Sequence, residues 1–243
     1  MANVVVRRPV HRAAAVVVAG AVLGLLAFAA DAVDGSARPV MVALVSSGLA
    51  WGSAALLAGR TAPDRRSAVT GATALLVSAT LVYYFLILVA SRRWSGGYLV
   101  NGSSSDRYGL RSLAVMTMAW LLVSMVAGPS LALLGQMTRT ARRQSAALAA
   151  GAAYGLLSGQ GWQEVGAAPP CALLVAAING EVEPGFLTAK LIQVILPLAI
   201  PVWLGHVQRL WRAWPTLLIA MILTAALSAL LWELLWVAAN RLG

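Results

Sequence analysis

Runs of apolar residues broken by short polar stretches recur along the whole chain, at residues 13–30, 40–58, 68–90, 112–134, 145–163, 186–205 and 216–238. Each holds about the 20 residues that a helix needs to cross some 30 Å of hydrocarbon. The pattern predicts an all-α polytopic bundle of about seven transmembrane helices in a single domain. A further apolar run, CALLVAAING at 171–180, is too short to cross and is expected as a re-entrant or interfacial segment. The basic stretch RRPVHR ahead of the first run imitates a signal peptide. That run is long enough to span and similar runs follow it, so it is expected to be the first transmembrane helix.

Within the runs, small residues cluster, as in AALAAGAAYGLLSG and GATALLVSA. They let helix backbones approach closely where the hydrophobic effect cannot drive association inside lipid. Pro197 and Pro201 fall four apart in the sixth run. Each removes a backbone donor, so a kink is expected there.

Composition agrees with this reading. The 243 residues are 60% hydrophobic and 11% charged, against about a quarter charged in soluble domains. The net charge of +10 does not point to nucleic acid, because the arginines lie between apolar runs and form no stripe with interleaved aromatics. They read as topology signals and contacts to anionic headgroups. With the amino terminus inside, Arg7, Arg8, Arg12, Arg60, Arg65, Arg66, Arg139, Arg142, Arg143, Arg209 and Arg212 are cytoplasmic, eleven in all. Six fall outside: Arg38, Arg92, Arg93, Arg107, Arg111 and Arg241. Full crossing by residues 168–180 would change the division to ten and seven. The expected orientation is multi-pass in a cytoplasmic membrane with the amino terminus in the cytoplasm.

The same topology gathers Asp31, Asp34, Asp106, Glu164, Glu181, Glu183 and Glu233 toward the outer side and leaves Asp64 inside. This pattern fits either acids tolerated in translocated loops or an acidic vestibule. Asp31 and Asp34 read as an ordinary helix end. Asn101-Gly102-Ser103 matches a glycosylation sequon and serves equally as turn chemistry.

No phosphate loop, zincin motif, nucleophile elbow or aspartate-rich magnesium motif occurs. The lone Cys171 leaves no internal disulfide, and His11 and His206 read as interfacial residues rather than metal ligands. No cofactor or metal is implied. What remains is aromatic and acidic. Of nine tryptophans, Trp94, Trp211 and Trp214 suit an interfacial belt. Trp51 and Trp120 are expected deeper, with Tyr83 and Tyr84, either packing against neighbours or lining a pocket for an apolar or cationic ligand. Trp51, Tyr83 and Tyr84 are expected to converge on one cavity rather than face lipid, since adjacent tyrosines diverge on a helix and a buried hydroxyl needs a partner.

Glu164 follows Trp162 in GLLSGQGWQEVGAAPP, where glycines permit close packing and prolines interrupt the chain. Facing the protein interior, it would have a raised pKa and act as a general acid. Glu233, between Trp232 and Trp236 in LLWELLW, has the same potential. For both, a snorkelling or solvated acid is the competing reading.

Between residues 45 and 165 the chain resembles an uncharacterised family of actinobacterial multi-pass membrane proteins, a domain-of-unknown-function group. The resemblance rests on VSSGLAWGSAALLAGR, on RRSAVTGATALLVSATLVYYF and on the acid-ended helix near Glu164. It marks Trp51, Gly71, Tyr83, Tyr84 and Glu164 as counterparts of the family's recurring residues. Ser46 and Ser47 stand where the family carries Asn. The resemblance implies a bacterial source, and so a bacterial cytoplasmic membrane, but no reaction.

Two functional classes remain open beside a purely structural partner of another membrane protein. The first is an intramembrane enzyme acting on a lipid or isoprenoid, such as a cyclase that protonates an alkene or epoxide through Glu164 or Glu233. In it, Trp51, Tyr83, Tyr84, Trp120 and Trp162 would contact the substrate and shield cationic intermediates. The chain resembles small membrane-bound terpenoid cyclases in helix number and length, without their acid motifs. The second is a transport, resistance or immunity component that binds an apolar small molecule or membrane lipid without chemistry.

Overall fold

The structure, a computed structural model, describes residues 7–98, 104–167, 170–180 and 185–242. These form an all-helical bundle: α1 (Arg7–Asp31), α2 (Ala37–Thr61), α3 (Arg65–Ser91), α4 (Asp106–Thr140), α5 (Arg143–Ala167), α6 (Pro170–Ile178), α7 (Phe186–Val207) and α8 (Trp214–Leu242). Among the described residues, six helices are long and apolar enough to cross a membrane: α1, α2, α3, α4, α7 and α8. The remaining expected span, 145–163, is the core of α5. Its 25 residues reach about 37 Å, long enough, but it is not apolar enough to count with the six, so the seven expected spans reduce to six. Glycine, serine and glutamine dilute its apolar character, and it compensates by burying Ala146, Ala147, Ala150, Ala153, Leu157 and Ser158 inside the bundle. The nine residues of α6 extend only about 14 Å, too short to cross.

The helices run up and down, so one end of the bundle gathers Arg12, Arg60, Arg65, Arg66, Arg139, Arg142, Arg143, Arg209 and Arg212. The opposite end holds Asp31, Asp34, Asp106 and Glu233. Helix ends follow local chemistry. Asp64 caps α3, its carboxylate accepting from the Ser67 backbone N–H at 2.9 Å and the Ser67 hydroxyl at 2.7 Å. Left-handed Arg209, at φ 54°, closes the helical stretch ahead of α8. In α7, Pro197 sits in a 3-10 turn, Leu196–Leu198, that separates two helical halves, because its ring cannot continue the α-helical hydrogen bonding.

Small residues bring the helices together. Gly151, Gly155 and Gly159 recur every four residues along the face of α5 that meets α8. A methyl group added to Gly155 would collide with Thr224 Oγ1, and one on Gly159 with Ser228 Oγ. Gly20 and Gly24 set α1 against the backbone of α3 at Leu75 and Ala79, while Gly59 and Gly135 set α2 against α4. These are the close approaches that hold helices together in lipid. One core cluster joins Leu49, Leu56, Leu75, Leu76, Leu131 and Leu157; a second joins Ala147, Leu204, Leu210 and Leu217 near the arginine-rich end.

Candidate functional site

The second span is not one continuous helix. Its first turns run through a π-helical turn, Val42–Ser46, after which Ser47 adopts an extended backbone at φ −77° and ψ 160°, and the helix restarts at Gly48. An extended residue inside a span leaves backbone donors and acceptors that hydrocarbon cannot satisfy. Side chains supply partners here. Ser47 Oγ donates to the Ala43 carbonyl at 2.6 Å, and Trp51 Nε1 donates to the Val45 carbonyl at 3.1 Å. The Gly48 N–H donates to Gln160 Oε1 of α5 at 3.3 Å. Ser46 Oγ reaches across to α1, donating to the Ala27 carbonyl at 3.0 Å.

On one side of the break lies Asp31, at the end of α1. Tyr83 of α3 donates its hydroxyl to Asp31 Oδ2, and Arg93 forms an ion pair with the same oxygen at 3.4 Å. Ser46 Oγ lies 3.5 Å from the other carboxylate oxygen. The Tyr83 ring stands edge-on to Trp51, with centroids 6.4 Å apart, and edge-on to Tyr84 at 5.1 Å. These T-shaped contacts align positive ring edges with negative ring faces. One half-buried patch thus unites a carboxylate, two phenols and an indole from three helices.

On the other side stand Trp120 of α4 and Trp232 of α8, whose rings approach to 6.0 Å at 49°. Trp232 also lies against Gly48, where an added methyl would sit 2.9 Å from its ring. The next residue on α8, Glu233, is exposed and accepts from Gln163 Nε2 of α5 at 2.8 Å. The first half of α7 packs against both the Val42–Ser46 turn and α5. It carries Gln193, a buried amide whose Oε1 has no hydrogen-bond donor among the described residues. An unpaired buried acceptor costs free energy, and such groups mark places where a water or ligand completes the bonding.

Trp51, Tyr83 and Tyr84 meet in ring contacts, but neither described cavity is lined by them, so the expected shared cavity is not part of this geometry. Trp120 joins Trp232 instead of that trio, and Glu233, the next residue along α8, bonds Gln163. Trp162 is exposed and stands outside these ring contacts. The backbone of Glu164 lies within α5, which continues past the anticipated end at residue 163, but its side chain is outside the described residues. Glu181, Glu183 and the Asn101–Ser103 sequon also lie outside them.

Several residues of the site escape a reading by sequence pattern. Asp31 looks like a plain helix end, yet it anchors Tyr83 and Arg93. Ser46-Ser47-Gly48 inside an apolar run was the available sign of the break, and the isolated Gln160 and Gln193 were signs of internal polar bonding. Comparisons with known protein families, with curated proteins and with solved structures find no match to this chain.

Proposed function

We propose that this chain is a membrane-embedded binding component, of the kind used in transport or resistance, whose site is the break in α2. The ligand class is an apolar molecule carrying a hydroxyl or amine donor, reached from the bilayer. The observation that carries this reading is the restart of the helix at Gly48, bonded by Gln160 and flanked by Trp232. Broken helices within a bilayer are tolerated where protein or a cavity satisfies their backbone, and transporters build midplane sites from them. The buried Gln193 acceptor supplies a polar anchor on the neighbouring helix, and the aromatic rings supply apolar walls. The arginine-rich end faces the cytoplasm in this reading, following the positive-inside bias.

A photoactivatable C16 fatty alcohol bearing a diazirine tests the site on the reconstituted protein. Cross-links mapped by mass spectrometry are expected on the segments around Trp51 and Trp232, and are expected to be lost in Gly48→Leu and Gln193→Leu. Labelling spread evenly over the outer face of α8 and unchanged by those substitutions defeats the proposal.

The enzyme reading rests on a different observation, the Glu233 carboxyl bonded by Gln163 one residue along α8 from Trp232. An acid and an aromatic pair on the same stretch of helix would suit protonation of an epoxide and shielding of the resulting cation. Under that reading, an epoxidised isoprenoid incubated with the protein yields cyclised product, and Glu233→Gln abolishes turnover while leaving the alcohol cross-links in place.

A further inference from the structure

At the opposite end of the bundle, a second feature is built from different residues. A cleft of about 120 Å³ opens between α2, α4 and α7, with Leu56, Leu57, Ile200 and Leu204 among its walls. Arg60 stands at this cleft. Its guanidinium donates to Thr138 Oγ1 at 2.7 Å and lies 5.0 Å from the centre of the Trp203 ring. Arg139 follows one residue after Thr138 and donates to the Ala62 carbonyl at 2.6 Å. Among the described residues, neither arginine forms an ion pair. Two cations are therefore held in place by neutral partners, beside a narrow apolar slot walled by buried Leu56 and Leu204 and by exposed Leu57.

A guanidinium fixed by a hydroxyl and a ring keeps further N–H donors available, in the planar fork that suits a phosphate. An exposed topology-signalling arginine needs no such fixing. The apolar walls exclude a purely ionic ligand as the whole occupant, since it would leave them empty. Basic pockets between transmembrane helices at a membrane surface are suited to anionic lipid headgroups.

We propose that the Arg60 cleft binds a phosphate-bearing amphiphile, namely an anionic phospholipid of the leaflet at the arginine-rich end. The phosphate sits on Arg60 with Arg139 adding to the field, and part of an acyl chain enters between Leu57 and Leu204. This site is independent of the break in α2.

Native mass spectrometry of the detergent-purified full chain, titrated separately with phosphatidylglycerol and phosphatidylcholine, tests it. Phosphatidylglycerol should bind at least about tenfold more tightly, and Arg60→Gln should remove about tenfold of that affinity, the scale of one lost charge-assisted contact. Arg209→Gln, an exposed charge at the same end, should change binding by less than about twofold. Leu57→Trp fills the cleft from an exposed position with Arg60 intact, and it too should weaken binding. It decides the matter if Arg60→Gln does not fold. Equal affinity for the two lipids, or wild-type affinity in the folded Arg60→Gln or Leu57→Trp protein, overturns the proposal. Displacement of the lipid by millimolar inorganic phosphate also overturns it, assigning the site to a soluble phosphate instead.

Discussion

Single side chains carry unusual responsibility where the backbone of α2 opens. Gln160 supplies the acceptor for the Gly48 N–H across 112 positions of sequence. Gln160→Leu leaves that donor unpaired in a half-buried setting, and an orphaned buried donor costs about 1–3 kcal/mol. Thermal unfolding in detergent should show the loss, with Gln160→Glu milder because an acceptor remains. At Asp31 two contributions separate. The ion pair with Arg93, whose side chain is 42% exposed, contributes less than about 1 kcal/mol, whereas the Tyr83 hydroxyl depends on the same oxygen. Asp31→Asn, which keeps an acceptor, should therefore cost less than Asp31→Leu, and equal losses would show that the ion pair dominates. Asp64 gives a pH-dependent case outside the spans. The Ser67 backbone N–H, then the Ser67 hydroxyl, hold its carboxyl below the ordinary carboxylate range. A depressed folded-state pKa contributes stability that is present above about 3.9 and fades as pH falls through the lower folded value. Asp64→Ala should accordingly lower the melting temperature at pH 7. The difference from wild type should vanish in strong acid, and a difference that grew on acidification would contradict the cap.

The helices themselves are held by near-contact of backbones more than by interlocking large side chains. The glycine row of α5 is the clearest instance. Gly155→Ala gains about 1 kcal/mol of helix propensity. The added carbon, however, would stand 2.5 Å from the Ala225 backbone nitrogen and closer still to Thr224 Oγ1, and backbone cannot swing aside. Overpacking of this kind costs about 1–3 kcal/mol or more, so the net effect should be destabilising. A methyl at Gly166, which meets nothing within 4 Å, should not destabilise; stability unchanged in Gly155→Ala would mean that α5 and α8 are less closely apposed. The two halves of α7 follow the same logic of backbone economy, since the turn at Pro197 falls where a proline has already removed a donor.

For the molecule as a whole, the up-and-down order of helices separates an arginine-rich end from an end bearing Asp31, Asp34, Asp106 and Glu233. The positive-inside bias then predicts the sidedness of the protein. Cys171, an exposed residue on the short α6, should react with a membrane-impermeant maleimide in intact cells. A cysteine at Arg66 in a Cys171→Ser background should not react until the membrane is opened. The reverse pattern would invert the topology and move the Arg60 cleft to the outer leaflet.

Chain composition and run lengths determined the helical class, six of the seven expected spans and the short helix after α5, because a bilayer requires each crossing backbone to bond itself within about 20 apolar residues. The tyrosine pair and Trp51 were legible as a converging group for a related reason: buried rings with polar tips need partners. The interruption at Ser47 was not legible in the same way. An extended residue inside a span is unfavourable by local rules, and it becomes tolerable only when Gln160, Ser47 and Trp51 meet the exposed backbone groups. Asp31 likewise acquires its role from Tyr83 and Arg93, which lie 52 and 62 positions away. Local hydropathy reports the transfer of each segment into lipid, while such pairings depend on which helices adjoin, and only the packed bundle decides that.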